Sequence, residues 1–167
     1  GKRDFWTLTF KVSRHCLTPR PDSETLIEAA LNTIRDRMAP LQILDLGTGS
    51  GCLLLSLMSE LPNSHGVGVD LSEKALAMAR ENAENLSFAG RCDFILSDWT
   101  AALPPDGHFD IILCNPPYIA LSEKAGLAAD VRDYEPSQAL FAEKNGLKEY
   151  ERLAQVVPGL LTPGGYA

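Results

Sequence analysis

Two spacings of apolar residues alternate along this chain. Leu26, Ile27, Ala30, Leu31, Ile34 and Met38 recur every three or four positions, which predicts a helix that starts at Asp22-Ser23 and buries one face. Residues 41–46 then read as a buried strand that ends in Gly47-Thr48-Gly49-Ser50-Gly51. Leu53, Leu54, Leu57, Met58 and Leu61 return to helical spacing, and Pro62-Asn63 stops it. A second strand over 66–69 closes at Asp70, and Ser72 caps a helix that turns Ala75, Leu76, Ala79 and Ala83 inward. A third strand, residues 92–96, runs into Ser97-Asp98-Trp99, and Pro104-Pro105-Asp106-Gly107 turns the chain into a fourth, 109–114. Periodicity weakens as far as Glu143. Leu147, Tyr150, Leu153, Ala154 and Val157 give a last helix that ends at Pro158-Gly159, and Thr162-Pro163-Gly164-Gly165 leads into a fifth strand.

This β-α-β-α-β-β-α order implies an α/β fold, a doubly wound and mostly parallel sheet. In such sheets ligands bind beyond the carboxyl ends of the strands, where the strand order reverses. With strand four beside strand one, the glycine loop and Asn115 would face each other across that crevice. The long segment after Tyr118 is then placed to act as a lid.

Composition narrows the partners. The 167 residues are 45% hydrophobic and 22% charged, ordinary for a globular domain, and a net charge of −7 speaks against a broad phosphate-binding surface. Cys16, Cys52, Cys92 and Cys114 are scattered without a Cys-x-x-Cys pair, so reduced thiols of a cytoplasmic protein are expected and no metal site. No apolar run is long enough to cross a bilayer, and no signal peptide is visible in a sequence whose first residue is Gly1, not Met. His15, His65 and His108 read as surface or structural residues.

The chemistry concentrates at Asn115-Pro116-Pro117-Tyr118, directly after strand four. Two prolines fix φ, remove two backbone donors and stiffen the turn, leaving the Asn115 and Pro116 oxygens as rigid acceptors. A planar amino group has two hydrogens to place there, and Tyr118 offers it a flat face. Across the crevice, the glycine segment permits close backbone approach to a ligand. Asp70 ends the next strand, where an acidic residue can hold a ribose diol. The spacing is Gly-x-Gly-x-Gly after Asp45, with Cys52 where a dinucleotide fingerprint needs its third glycine.

The loop thus resembles the S-adenosylmethionine loop of class I methyltransferases more than a nicotinamide site. Asp45, Gly47, Thr48, Gly49, Ser50, Gly51, Asp70 and Asn115 are the matching cofactor positions. Asp98 and Trp99 fall where that superfamily edges and stacks the adenine, although Trp99 taken alone could equally be a core or rim aromatic. Leu17-Thr18-Pro19-Arg20-Pro21-Asp22-Ser23-Glu24, the tetrapeptide and Tyr134-Glu135-Pro136 narrow the match. With them the chain resembles the HemK/PrmC family of glutamine methyltransferases that modify peptide release factors.

That resemblance implies methyl transfer from S-adenosyl-L-methionine, giving S-adenosyl-L-homocysteine, to the amide nitrogen of a glutamine in a Gly-Gly-Gln motif. Asn115, Pro116 and Tyr118 would be catalytic. Pro117, Arg20 and Glu135 would join them on the substrate side. Arg20 could also be a surface ion-pair partner of Asp22 or Glu24, and Glu135 a turn cap. Residues 1–21 would be a hairpin-like lead-in and 22–167 the catalytic domain, cut after the start of strand five relative to the family. The tetrapeptide equally resembles that of enzymes methylating exocyclic amino groups of nucleic acid bases. A non-catalytic cofactor-binding subunit is the remaining alternative.

Overall fold

The computed structural model describes residues 1–105, 108–126, 136–143 and 146–167. Its centre is a parallel five-stranded sheet built from β3 (Gln42–Leu46), β4 (His65–Asp70), β5 (Cys92–Leu96), β6 (Phe109–Cys114) and β9 (Leu161–Tyr166). The strand order is β5-β4-β3-β6-β9, so the chain reverses direction of travel between β3 and β6. Asp45 stands beside Leu113 and Leu46 beside Cys114, so the loops that follow β3 and β6 leave the sheet next to each other.

Side chains alternate across the sheet and make two cores. On one face Ile43, Ile111 and Leu113 pack with α1 (Glu24–Thr33) and α2 (Cys52–Glu60), and α3 (Glu73–Asn85) contributes Ala83. On the other, Leu44, Leu46, Val69 and Ile112 pack with Leu153 and Leu160 of the last helix, α5 (Lys148–Leu160). Fully burying one such side chain contributes roughly 1.5–3 kcal/mol. Helix α2 buries Leu54, Leu55, Leu57 and Met58 completely, so it is firmly seated and fixes the glycine loop at its start.

An antiparallel hairpin of β1 (Lys2–Phe5) and β2 (Leu8–Lys11) covers this assembly, with Phe5 and Phe10 buried edge to face at 6.3 Å. The Trp6 backbone N–H donates to Glu24 Oε1 (2.7 Å) and its indole N–H to Glu60 Oε1 (2.9 Å), which ties the turn to α1 and α2. Asn82 of α3 is buried and bridges the hairpin to the glycine loop. It accepts from Lys11 N and donates to the carbonyls of Lys11 and Ser50.

Several expectations need correction. Helix α1 ends at Thr33, and Met38 is exposed rather than inward. Asp36 Oδ1 accepts the Met38 N–H at 2.9 Å, a local turn that competes with further helix. Helix α5 runs on through Pro158 to Leu160 rather than ending at Pro158-Gly159. Leu147, Tyr150 and Ala154 are exposed and only Leu153, Leu160 and part of Val157 reach the sheet. The Thr162-Pro163-Gly164-Gly165 turn lies within β9, as an irregularity between the Leu161 and Tyr166 pairings with β6.

The segment after Tyr118 holds short pieces, β7 (Ile119–Ala120), α4 (Ser137–Leu140) and β8 (Phe141–Ala142), with β7 paired parallel to β8. Among the described residues no helix is long and apolar enough to cross a membrane.

Candidate active site

A cleft of about 380 Å³ opens at the carboxyl ends of β3, β4, β5 and β6. The glycine loop forms its floor. The Gly47 and Thr48 N–H groups both donate to Val69 O at 2.9 Å, which pulls the loop over the end of β4. The Gly49 N–H donates to Asp70 Oδ2 and the Ser72 N–H to Asp70 Oδ1, each at 2.9 Å. One carboxylate therefore locks the loop to the start of α3 and keeps lone pairs in hand on the cleft wall.

The glycines divide their work. At Gly49 (φ +56°) an added Cβ would meet nothing nearer than Cys16 Cβ at 3.9 Å, and the residue lines the cleft. At Gly51 (φ +79°) a Cβ would lie 3.3 Å from both Ala79 Cβ and Leu55 Cδ1, so this glycine lets α2 and α3 approach and does not touch the cleft.

Asp45 lies beneath the loop, buried and off the cleft wall. Thr48 Oγ1 donates to its Oδ2 at 2.7 Å, while Oδ1 has no partner. Burial pushes its carboxyl up to about 7. The Thr48 bond opposes that shift in part, and the charge of Asp70 adds to it. Burial likewise pushes the Cys52 thiol up to about 12 and the Cys114 thiol higher still, so neither is a ready nucleophile.

The opposite wall comes from the turn after β6. Asn115 and Pro117 line the cleft, whereas Pro116 is buried and Tyr118 is 61% exposed, with neither on the wall. The stiff turn thus sends the Asn115 and Pro117 side chains to the cleft and packs the Pro116 ring inward. Asn115 Nδ2 donates to Ser23 Oγ at 3.2 Å, from the segment before α1. Arg20 also lines the cleft. Glu135 lies outside the described residues.

Asp98 and Trp99 are both on the wall. The Asp98 carboxylate receives Arg152 Nη2 at 3.0 Å on both oxygens, and the Trp99 indole N–H donates to Glu149 Oε2 at 2.7 Å. Gly47, Thr48, Ser50 and Asp70 complete the residues foreseen there. Ser50 Oγ is buried beside the Cys52 thiol.

The sequence reading missed His15, Ser23, Leu71, Phe141, Glu149 and Arg152, all of which line the cleft. Ser23 sits within the motif at the start of α1, so its place there was traceable. Glu149 and Arg152 look like any solvated helix face. Among the described residues no group of three metal-binding side chains occurs.

The same architecture recurs in known proteins. A family model described as a methyltransferase domain matches residues 39–166. This chain belongs to that methyltransferase family. A release factor glutamine methyltransferase of Cereibacter sphaeroides is 48% identical over 99% of the chain, which spans 57% of that relative's length. Among solved structures, a SAM-dependent methyltransferase from Thiobacillus denitrificans in complex with S-adenosyl-L-homocysteine is 27% identical, with a TM-score of 0.53 over 87% of this chain and 46% of that one. The hMettl16 catalytic domain with the MAT2A 3'UTR hairpin 6 matches with a TM-score of 0.71 over 92% of this chain and 57% of its own. At 18% identity that match speaks to the methyltransferase fold alone. The resemblance to release factor glutamine methyltransferases read from the motifs agrees with the names of these curated relatives.

Proposed function

We propose that this methyltransferase domain uses S-adenosyl-L-methionine to methylate the side-chain amide nitrogen of a glutamine, in the Gly-Gly-Gln motif of a peptide chain release factor. The observation that carries the reading is the placement of Asn115 on one wall of the cleft whose floor is the Gly47–Gly49 loop and Asp70. In this reading residues 22–167 are the catalytic domain, 1–21 its lead-in, and the enzyme is cytoplasmic.

The residues fit such a cofactor. Asp70 can accept ribose hydroxyls, Leu71 and Trp99 offer apolar flanks to a base, and Gly49 leaves room for backbone approach. Three carboxylates, of Asp70, Asp98 and Glu149, face two guanidiniums, of Arg20 and Arg152, a balance that suits a cationic ligand. The cofactor supplies a methyl group on a positively charged sulfur.

The chain supplies orientation. An amide nitrogen is a weak nucleophile because its lone pair is delocalised. Asn115 Oδ1, held by the anchored Nδ2, accepts an N–H of the substrate amide, aims the nitrogen and stabilises the positive charge that builds on it. Transfer of that methyl would leave a neutral thioether, and the nitrogen so positioned would then lose its proton to water. Pro116 and Pro117 keep the turn rigid. Pro136, Ala139 and Phe141, from the segment after the tetrapeptide, also line the cleft.

An exocyclic amino group of a nucleic acid base could use the same turn, but a chain of net charge −7 lacks the charge for a broad phosphate-binding face. The deciding experiment gives the protein that contains this chain labelled S-adenosyl-L-methionine together with release factors or nucleic acid, and locates the methyl. Label on a glutamine amide supports the reading. Label on adenine or cytosine overturns it.

A further inference from the structure

Helix α5 carries two residues that no motif singled out, and both reach the cleft. Glu149 Oε2 accepts the Trp99 indole N–H at 2.7 Å and Arg152 Nη1 at 3.3 Å. Arg152 Nη2 closes the ring on both oxygens of Asp98, the residue before Trp99. The backbone at Trp99 has φ +50°, a left-handed conformation that side-chain-bearing residues rarely adopt without support. The indole also lies against the glycine loop, since a Cβ at Gly47 would be 3.5 Å from Trp99 Cζ3.

An indole has a single polar atom, its N–H, and rotation about the Cβ–Cγ bond carries that atom from one side of the ring axis to the other. A carboxylate at 2.7 Å selects one of these orientations, and a bond to a charged acceptor is stronger than one between neutral groups. Glu149 itself is held, since its side chain is only 17% exposed and braced by Arg152.

We propose that Glu149 is a positioning residue that sets the plane of the Trp99 indole, and through it the affinity of the cleft for the nucleoside half of its ligand. The proposal rests on the reading of the cleft as an S-adenosyl-L-methionine site. Arg152 serves the same end by fixing Glu149 and Asp98 together, so that the start of α5 shapes the wall.

The test needs no turnover. The chain has two tryptophans, so a Trp6→Phe background leaves Trp99 as the single indole emitter. In that background S-adenosyl-L-homocysteine and adenosine are titrated by calorimetry and by Trp99 emission. Glu149→Ala should shift the emission and weaken both ligands by about tenfold, the loss of one charge-assisted bond. Glu149→Gln keeps an oxygen acceptor without its charge and should fall between the parent and Glu149→Ala. Parent-like binding or emission in Glu149→Ala overturns the proposal, and so does a Gln variant as weak as the Ala variant. A parent that binds neither ligand overturns the cofactor reading and the affinity half of this inference together. An unchanged Trp99 emission in Glu149→Ala, with a parent that binds both ligands, overturns the proposal and leaves the cofactor reading standing.

Discussion

Asn115 Nδ2 and Ser23 Oγ meet at 3.2 Å although 92 residues separate them in the chain. A side-chain amide has two ends of similar shape, and only its hydrogen bonds decide which faces a substrate. By taking the Nδ2 end, Ser23 leaves the oxygen to act as acceptor. We expect Ser23→Ala to lower kcat on the order of tenfold, with S-adenosyl-L-homocysteine binding unchanged, and Ser23→Thr to restore it. Steady-state kinetics beside calorimetry checks this. A Ser23→Ala variant with parental kcat would remove the hydroxyl from the mechanism.

Asn115→Ala should act more severely. Loss of a preorganised hydrogen-bond partner at a reacting centre costs on the order of a hundredfold or more in rate. The glycine loop and Asp70 stand across the cleft and do not depend on Asn115, so cofactor affinity should persist. Single-turnover methylation with the variant measures the chemical step directly, and normal turnover would sink the proposed role.

Gly49 and Gly51 should separate by readout. Both have positive φ, which costs a residue with a side chain about 1–2 kcal/mol. Gly51→Ala adds contacts 3.3 Å from Ala79 and Leu55, so it should lower the unfolding midpoint more than Gly49→Ala does. Gly49→Ala places its methyl in the cleft and should weaken S-adenosyl-L-homocysteine more than it weakens the fold. Thermal unfolding and calorimetry on the two variants decide, and identical effects on both measures would contradict the division of labour.

Asp45 gives the fold a pH signature. Burial raises its carboxyl from an ordinary 3.8 to about 7, so the native state keeps a proton that the unfolded chain has already released. The stability this confers is fully present below about pH 4 and is lost as pH rises through about 7. Asn in its place cannot titrate. We expect urea unfolding between about pH 4 and about pH 7 to show a slope more favourable to high pH in Asp45→Asn than in the parent. The difference should be at most ~1.4 kcal/mol per pH unit. Parallel curves for the two proteins would show that Asp45 titrates normally.

Much of this molecule is legible in its sequence because local chemistry dictates it. Apolar periodicity located the strands of the central sheet, and Ser72 caps α3 as read, accepting the Ala75 N–H. The glycine spacing and the double proline named the two loops of the cleft before any fold was in view. What the sequence could not supply is which side of a stiff loop each residue takes. Asp45 and Gly51 belong to the loop motif but serve packing beneath it, and Pro116 turns inward where Asn115 turns out. Nor could it join partners far apart in the chain: Ser23 with Asn115, or Glu149 and Arg152 with Trp99 and Asp98. Such pairings arise because parallel crossovers bring distant segments to one end of the sheet, and that convergence belongs to the topology, with no mark in the local pattern.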